Sequence, residues 1–110
     1  MDIDSQRVLR LLDVVEQESS LTQRTLSARL GIALGLTNLY IKRLIRKGYI
    51  KCVTIRANRL AYVITPRGLA QKARLTLKFM EYSLDLYRDA RRHLHRVLTS
   101  QVQSPMRVAI

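Results

Sequence analysis

From Pro66 to about Leu98 nothing interrupts a helical pattern except Gly68, which falls in the first turn. Thirty-three residues at helical rise make a rod of roughly 50 Å. A chain of 110 residues builds a core too small to cover such a rod from end to end. The apolar positions along it run Leu69, Ala73, Leu77, Met80, Leu84, Tyr87, Leu94 and Leu98, at gaps of four and three that alternate from Ala73 onward, with Arg91 breaking the series once. That is a heptad seam, the pattern of a helix that pairs with another helix. Leu77, Met80, Leu84, Tyr87 and Leu94 are the predicted homodimer interface.

The residues before the rod divide into short elements. Asp4 and Ser5 suit a helix N-cap, and Val8, Leu11, Leu12 and Val15 follow at helical spacing, so Ser5 to Glu18 reads as an amphipathic helix. Thr22 caps a second helix, with Leu21 placed to staple against Leu26, and Gly31 stops it. A third helix spans about Leu34 to Lys47, its cationic end suiting the helix dipole, and Gly48 caps it. Two short helices around a tight glycine turn form a helix-turn-helix. The period then becomes extended. Tyr49 to Arg56 and Leu60 to Thr65 are rich in β-branched residues, with Ala57-Asn58-Arg59 as the turn of a hairpin. Thr65-Pro66 opens the rod. The predicted class is mainly α with a small β-hairpin wing. Its regions are 1–65 (a winged helix-turn-helix domain), 66–98 (a dimerisation helix) and 99–110 (a flexible tail containing Pro105).

Charge narrows the function. The net charge is +12, and between Ser19 and Met80 thirteen Lys or Arg stand without one Asp or Glu. A region so one-sided repels itself unless a polyanion neutralises it, and nucleic acid is the usual one. An anionic membrane surface is the alternative on charge alone. The sequence shows neither a signal-peptide pattern nor an apolar run of membrane-spanning length, and its single cysteine, Cys52, fits a reducing compartment, so a cytoplasmic location is expected.

The stretch from Leu21 to Gly68, LTQRTLSARLGIALGLTNLYIKRLIRKGYIKCVTIRANRLAYVITPRG, resembles the MarR-type winged helix-turn-helix regulators. Its signals are the LGI turn, the KGYI passage into the wing and the YVITPRG exit from it. With TPRGLAQKARLTLKFM following, it is most similar to their short branch associated with exopolysaccharide clusters. The resemblance implies a dimeric transcriptional regulator that reads double-stranded DNA. It also implies an apolar residue where Thr37 stands; Thr is nearly isosteric, and its hydroxyl can bond back to the preceding turn.

The physics of the motif distributes roles. The major groove admits one helix, which keeps one face for the core and offers the other to the bases. Helical phase puts Thr37, Tyr40, Ile41 and Leu44 inside. The outer face carries Leu34, Gly35, Leu36, Asn38, Leu39, Lys42, Arg43 and Arg46. Asn38 is the candidate for bidentate contact with adenine. Lys42 and Arg43 are placed for guanine or phosphate, and Gly35 for close approach to the backbone. Gln23 and Arg24 are expected to clamp phosphates, and the wing residues Arg56, Asn58 and Arg59 to enter the minor groove. Leu34, Leu36 and Leu39 admit three readings: contacts to thymine methyls, a protein-docking patch, or partial burial in the core.

Other features carry less. His93 and His95 are two apart on a helix and point to different faces, which does not suit metal sharing. Cys52 alternates with its neighbours in a strand and is expected to be half-buried, with a redox role depending on its exposure. Asp85, Arg88, Asp89 and Arg92 fit ion pairs along or between helices. No catalytic constellation, cofactor loop or small-molecule pocket is legible, so the chain is not expected to be an enzyme or to use a cofactor or metal. The competing function is a protein-interaction module on the same fold, with DNA contact secondary. Single-strand recognition is disfavoured by the scarcity of aromatics for stacking.

Overall fold

The computed structural model describes residues 1–18, 20–56 and 59–103, without the side chains of Arg56, Arg59, Val102 and Gln103. Its elements are α1 (Ile3–Gln17), α2 (Gln23–Leu30), α3 (Leu34–Arg46), β1 (Ile50–Arg56), β2 (Arg59–Ile64) and α4 (Pro66–Gln103). This is a winged helix-turn-helix with a long C-terminal helix.

Helix α1 begins earlier than Asp4 and Ser5 suggest. Asp2 is the N-cap, its carboxylate accepting from the Ser5 backbone N–H at 2.7 Å. Asp4, within the first turn, is thereby released for another role. The predicted stripe Val8, Leu11, Leu12 and Val15 is buried. In α2, Thr22 accepts from the Thr25 N–H at 3.1 Å, and Leu21 and Leu26 are both buried, as a hydrophobic staple requires. Gly31 ends α2 at φ 67°, a left-handed conformation that costs glycine little. Helix α3 buries Thr37, Tyr40, Ile41 and Leu44. Thr37 is fully buried, and its hydroxyl donates to the Ala33 carbonyl at 3.1 Å. That bond meets the cost of placing a hydroxyl where an apolar side chain would need none.

The strands form an antiparallel hairpin in which Ile50 pairs with Ile64, Cys52 with Tyr62 and Thr54 with Leu60. An irregularity between Thr54 and Arg56 brings Arg56 opposite Arg59, so Arg59 belongs to β2 and not to the turn. Ile50 and Tyr62 sit in the core, while Ile55 and Leu60 are 52% and 56% exposed, so the hairpin leaves the core about halfway along. Cys52 is exposed although Tyr62 opposite it is buried, contrary to the half-burial expected from strand alternation.

The passage into α4 is tightly bound. The Thr65 N–H donates to the Tyr49 carbonyl at 3.0 Å, its hydroxyl donates toward the Gly48 carbonyl at 2.6 Å, and the same oxygen accepts from the Gly68 N–H at 3.0 Å. At Gly68 a Cβ would stand 2.0 Å from the Tyr49 carbonyl oxygen, so backbone occupies the space of a side chain. This gives the TPRG motif its physical content.

Two of the expected region limits move. The compact domain is Met1–Lys78, ending within α4 and not at Thr65, because Leu75, 5% exposed, is part of the core. Helix α4 also continues to Gln103 instead of ending at Leu98. Thr99 to Gln103 contain neither Gly nor Pro, and Pro105 is the first residue that must break the pattern. The rest of the predicted tail lies outside the described residues. From Phe79 onward the described part of α4 is a second unit, in which Met80, Leu84, Tyr87, Leu94 and Leu98 are between 51% and 63% exposed. No helix among the described residues is long and apolar enough to cross a membrane.

Candidate nucleic-acid interface

The face of α3 opposite its buried stripe is where the predicted contacts gather. Leu34 and Leu39 are 42% and 64% exposed, and Gly35, Lys42 and Arg46 are exposed beside them. Leu36 differs: it is half-buried and packs against the core. The three leucines therefore separate, one serving packing and two standing free on the surface. Nothing lies within 4 Å of the position a Cβ would take at Gly35, so the start of α3 is open to a close neighbour.

Asn38 is half-buried and held in place. The Gln23 amide donates to Asn38 Oδ1 at 3.3 Å and to the Tyr62 hydroxyl at 3.1 Å. One side chain at the start of α2 thus ties α3 to the wing strand β2. Both amide hydrogens of Gln23 are spent internally, leaving its oxygen and its backbone N–H, at the first turn of α2, as its unspent groups. A phosphate needs donors, and in this structure the side-chain donors of the expected clamp are engaged within the chain. Arg24 beside it is exposed.

Arg43 is also drawn inward. Its guanidinium donates to both Asp4 carboxylate oxygens, at 2.9 and 3.1 Å, and lies 4.8 Å from the Tyr40 ring centroid. The Tyr40 hydroxyl donates to the same carboxylate at 2.8 Å. These donors, Tyr40 first and Arg43 second, hold the Asp4 carboxyl below its ordinary range. Asp4 was legible only as a cap residue, and nothing in its spacing marks a contact with a helix almost forty positions on. Asp4, Leu36, Leu39, Tyr40, Lys42, Arg43 and Arg46 line one shallow groove.

The acid-free stretch is partly neutralised from within the chain. The acids of and just after α1 reach it: Asp4 pairs with Arg43, Glu18 with Arg29 at 2.5 Å, and Asp13 with Lys72 at 2.9 Å, where Glu16 joins. The paired acids, Glu16 first, hold the Lys72 ammonium above its ordinary range. Among the described residues no carboxylate pairs with Arg24, Lys42 or Arg46. The internal pairs lie at the joints between helices, and the unpaired cations lie around the outer face of α3. Asn58 lies outside the described residues; Arg56 and Arg59 are placed as strand residues, but their side chains are outside the description.

Comparison with known proteins agrees with this geometry. Residues 4–51 match the winged helix-turn-helix DNA-binding family. No curated protein sequence matches the chain significantly. Among solved structures, the PcaV transcriptional regulator of Streptomyces coelicolor superposes with a TM-score of 0.70 at 20% identity, covering 94% of this chain and 77% of that one. A MarR family protein of Mycobacterium tuberculosis, solved in complex with salicylic acid, gives 0.63 at 18% identity over 86% of this chain and 74% of that one. FabT of Streptococcus pneumoniae, solved in complex with DNA, gives 0.58 at 21% identity over 98% of this chain and 78% of that one. The chain has the fold of the MarR-type regulators and, over residues 4–51, is similar to the winged helix-turn-helix DNA-binding family.

Proposed function

We propose that this protein is a homodimeric, sequence-specific double-stranded DNA-binding transcriptional regulator, similar in its motifs to the short exopolysaccharide-associated branch of the MarR-like proteins. The observation that carries the reading is the division of α3. One face is buried against the core, while the other presents Leu34, Leu39, Lys42 and Arg46, with no ion pair to either cation among the described residues. On a groove-bound helix, Lys42 and Arg46 contact phosphate or guanine, Leu39 and Leu34 meet thymine methyls, and Asn38 reads a base from the position Gln23 sets. Arg24 and the first turn of α2 hold phosphate, and the wing residues Arg56, Asn58 and Arg59 lie along the minor groove. The exposed seam of α4 supports pairing of two copies, and a two-fold dimer calls for a near-palindromic site.

Selection of bound duplexes from a random pool, followed by electrophoretic shift at moderate salt, tests this. A recovered inverted repeat is expected. Absence of any sequence preference would refute the regulator reading. The exposure of Leu34 and Leu39 favours one second reading, protein docking through α3. A specific protein partner without DNA binding would establish it.

A further inference from the structure

We propose that two copies of the chain pair antiparallel along α4, about a two-fold axis between Asp85 and Leu86. This rests on the dimer reading above and adds its orientation. The seam positions are mirror images about that point: Leu84 mirrors Tyr87, Met80 mirrors Arg91, and Leu77 mirrors Leu94. An antiparallel pair therefore fills every layer with one residue of each kind, Leu84 against the partner's Tyr87 and Met80 against the partner's Arg91. All of these side chains except Arg91 are large, apolar and more than half exposed in the single chain, and Arg91 is exposed beside them.

Arg91 decides against the parallel arrangement. In an in-register parallel pair, equivalent residues share a layer, so the two Arg91 guanidiniums would meet inside the seam. Two like charges there repel and lose water without a counter-charge. Antiparallel, each Arg91 lays its aliphatic stem along the partner's Met80 and carries its charge out to solvent.

The flanking charges agree. In the heptad set by Leu77 and Leu84 at a, Glu81 and Arg88 both occupy e, while the g positions hold Ser83 and Ala90. Parallel helices place e beside g, where no charge stands. Antiparallel helices place e beside e, so Glu81 meets the partner's Arg88 and the symmetric contact forms a second time. Within its own chain Arg88 has Asp85 at 4.0 Å, the limit of an ion pair, and both side chains are mostly exposed. Arg88 is thus open to a better partner.

Site-directed cross-linking tests the orientation in the full chain, with the exposed Cys52 changed to Ser. Equimolar Met80→Cys and Arg91→Cys chains are mixed and mildly oxidised. The expected product is the mixed disulfide between the two variants, with little from either alone. A stable dimer that instead cross-links Met80→Cys to itself and Arg91→Cys to itself would overturn the orientation and leave the dimer standing. A chain that stays monomeric in light scattering at high concentration would sink both. Charge exchange gives an independent readout. Glu81→Arg and Arg88→Glu alone should each weaken dimerisation roughly tenfold, as two unfavourable flanking contacts are created at once. The double exchange should restore it to within about twofold. Failure of the double variant to recover would count against the antiparallel contact.

Discussion

The two halves of α4 differ in whether any face of the helix meets its own chain. Before Lys78 one face does: Leu75 is buried, Gly68 lies against the Tyr49 carbonyl, and Lys72 is clamped by Asp13 and Glu16. That face is not the heptad seam, whose Leu69 and Leu77 are 43% and 60% exposed in the same half. After Phe79 the described side chains are exposed, up to 63% at Tyr87. Periodicity states that a face wants burial. It does not state which molecule supplies the cover, and the first half of α4 is held by a face that the seam does not include.

The sharpest way to break this comparison is to truncate one apolar residue from each half. Leu75→Ala, buried in the core, should lower stability by about 2–5 kcal/mol in urea denaturation. Leu94→Ala should change the stability of the monomeric chain by less than about 0.5 kcal/mol at dilutions that prevent pairing. Equal costs would mean that the second half is also part of the monomer's core. Gly68→Ala should follow, at about 1–3 kcal/mol, since the added methyl meets backbone and not a flexible side chain. Gly35→Ala, with open space around it, should stabilise by up to about 1 kcal/mol while weakening DNA binding if the start of α3 approaches a phosphate closely.

Smaller effects sharpen the division between the two kinds of cation. Lys42→Ala should leave the melting temperature in place and reduce the slope of log affinity against log salt by about 0.9. Lys72→Ala should do the reverse, leaving the slope unchanged and lowering stability by about 1 kcal/mol or less. An altered slope in the Lys72 variant would place that residue on the DNA. The weakest effect concerns acid. The Asp4 carboxyl is held below its ordinary range by Tyr40 and Arg43, so the unfolded chain binds its proton more readily than the folded one. Its contribution is complete above the unfolded value near 3.8 and is lost as pH falls below it. Asp4→Asn should therefore flatten the stability profile below about pH 4 without altering its shape near neutrality, as followed by thermal melts.

Local signals were the most legible part of the chain. The buried stripes of α1 and α3, the Thr22 cap, the glycine stops at Gly31 and Gly48 and the hairpin all stand where periodicity and capping chemistry put them. What escaped were contacts between residues far apart in sequence. Asp4 had a local role available as a cap, and only the packing of α1 against α3 shows that it serves Tyr40 and Arg43 instead. Gln23 was legible only as a candidate phosphate contact, and nothing in its spacing pointed to its amide bonds with Asn38 and Tyr62. Strand alternation placed Cys52 correctly in β1 but not in depth: it is exposed while Tyr62 opposite it is buried. The end of α4 was placed early because a lapse in the apolar repeat is not a helix stop; backbone chemistry ends helices.

The bridge from Gln23 to Asn38 and Tyr62 has a consequence for how such a protein changes its target. The angle of the amide on α3 depends on a phenol anchored in the base of the hairpin. A Tyr62→Phe chain would free one Gln23 hydrogen and let Asn38 reorient. On the proposed reading of DNA by α3, a shift in the preferred duplex would then follow from a hydroxyl at the base of the hairpin and not from the outer face of α3.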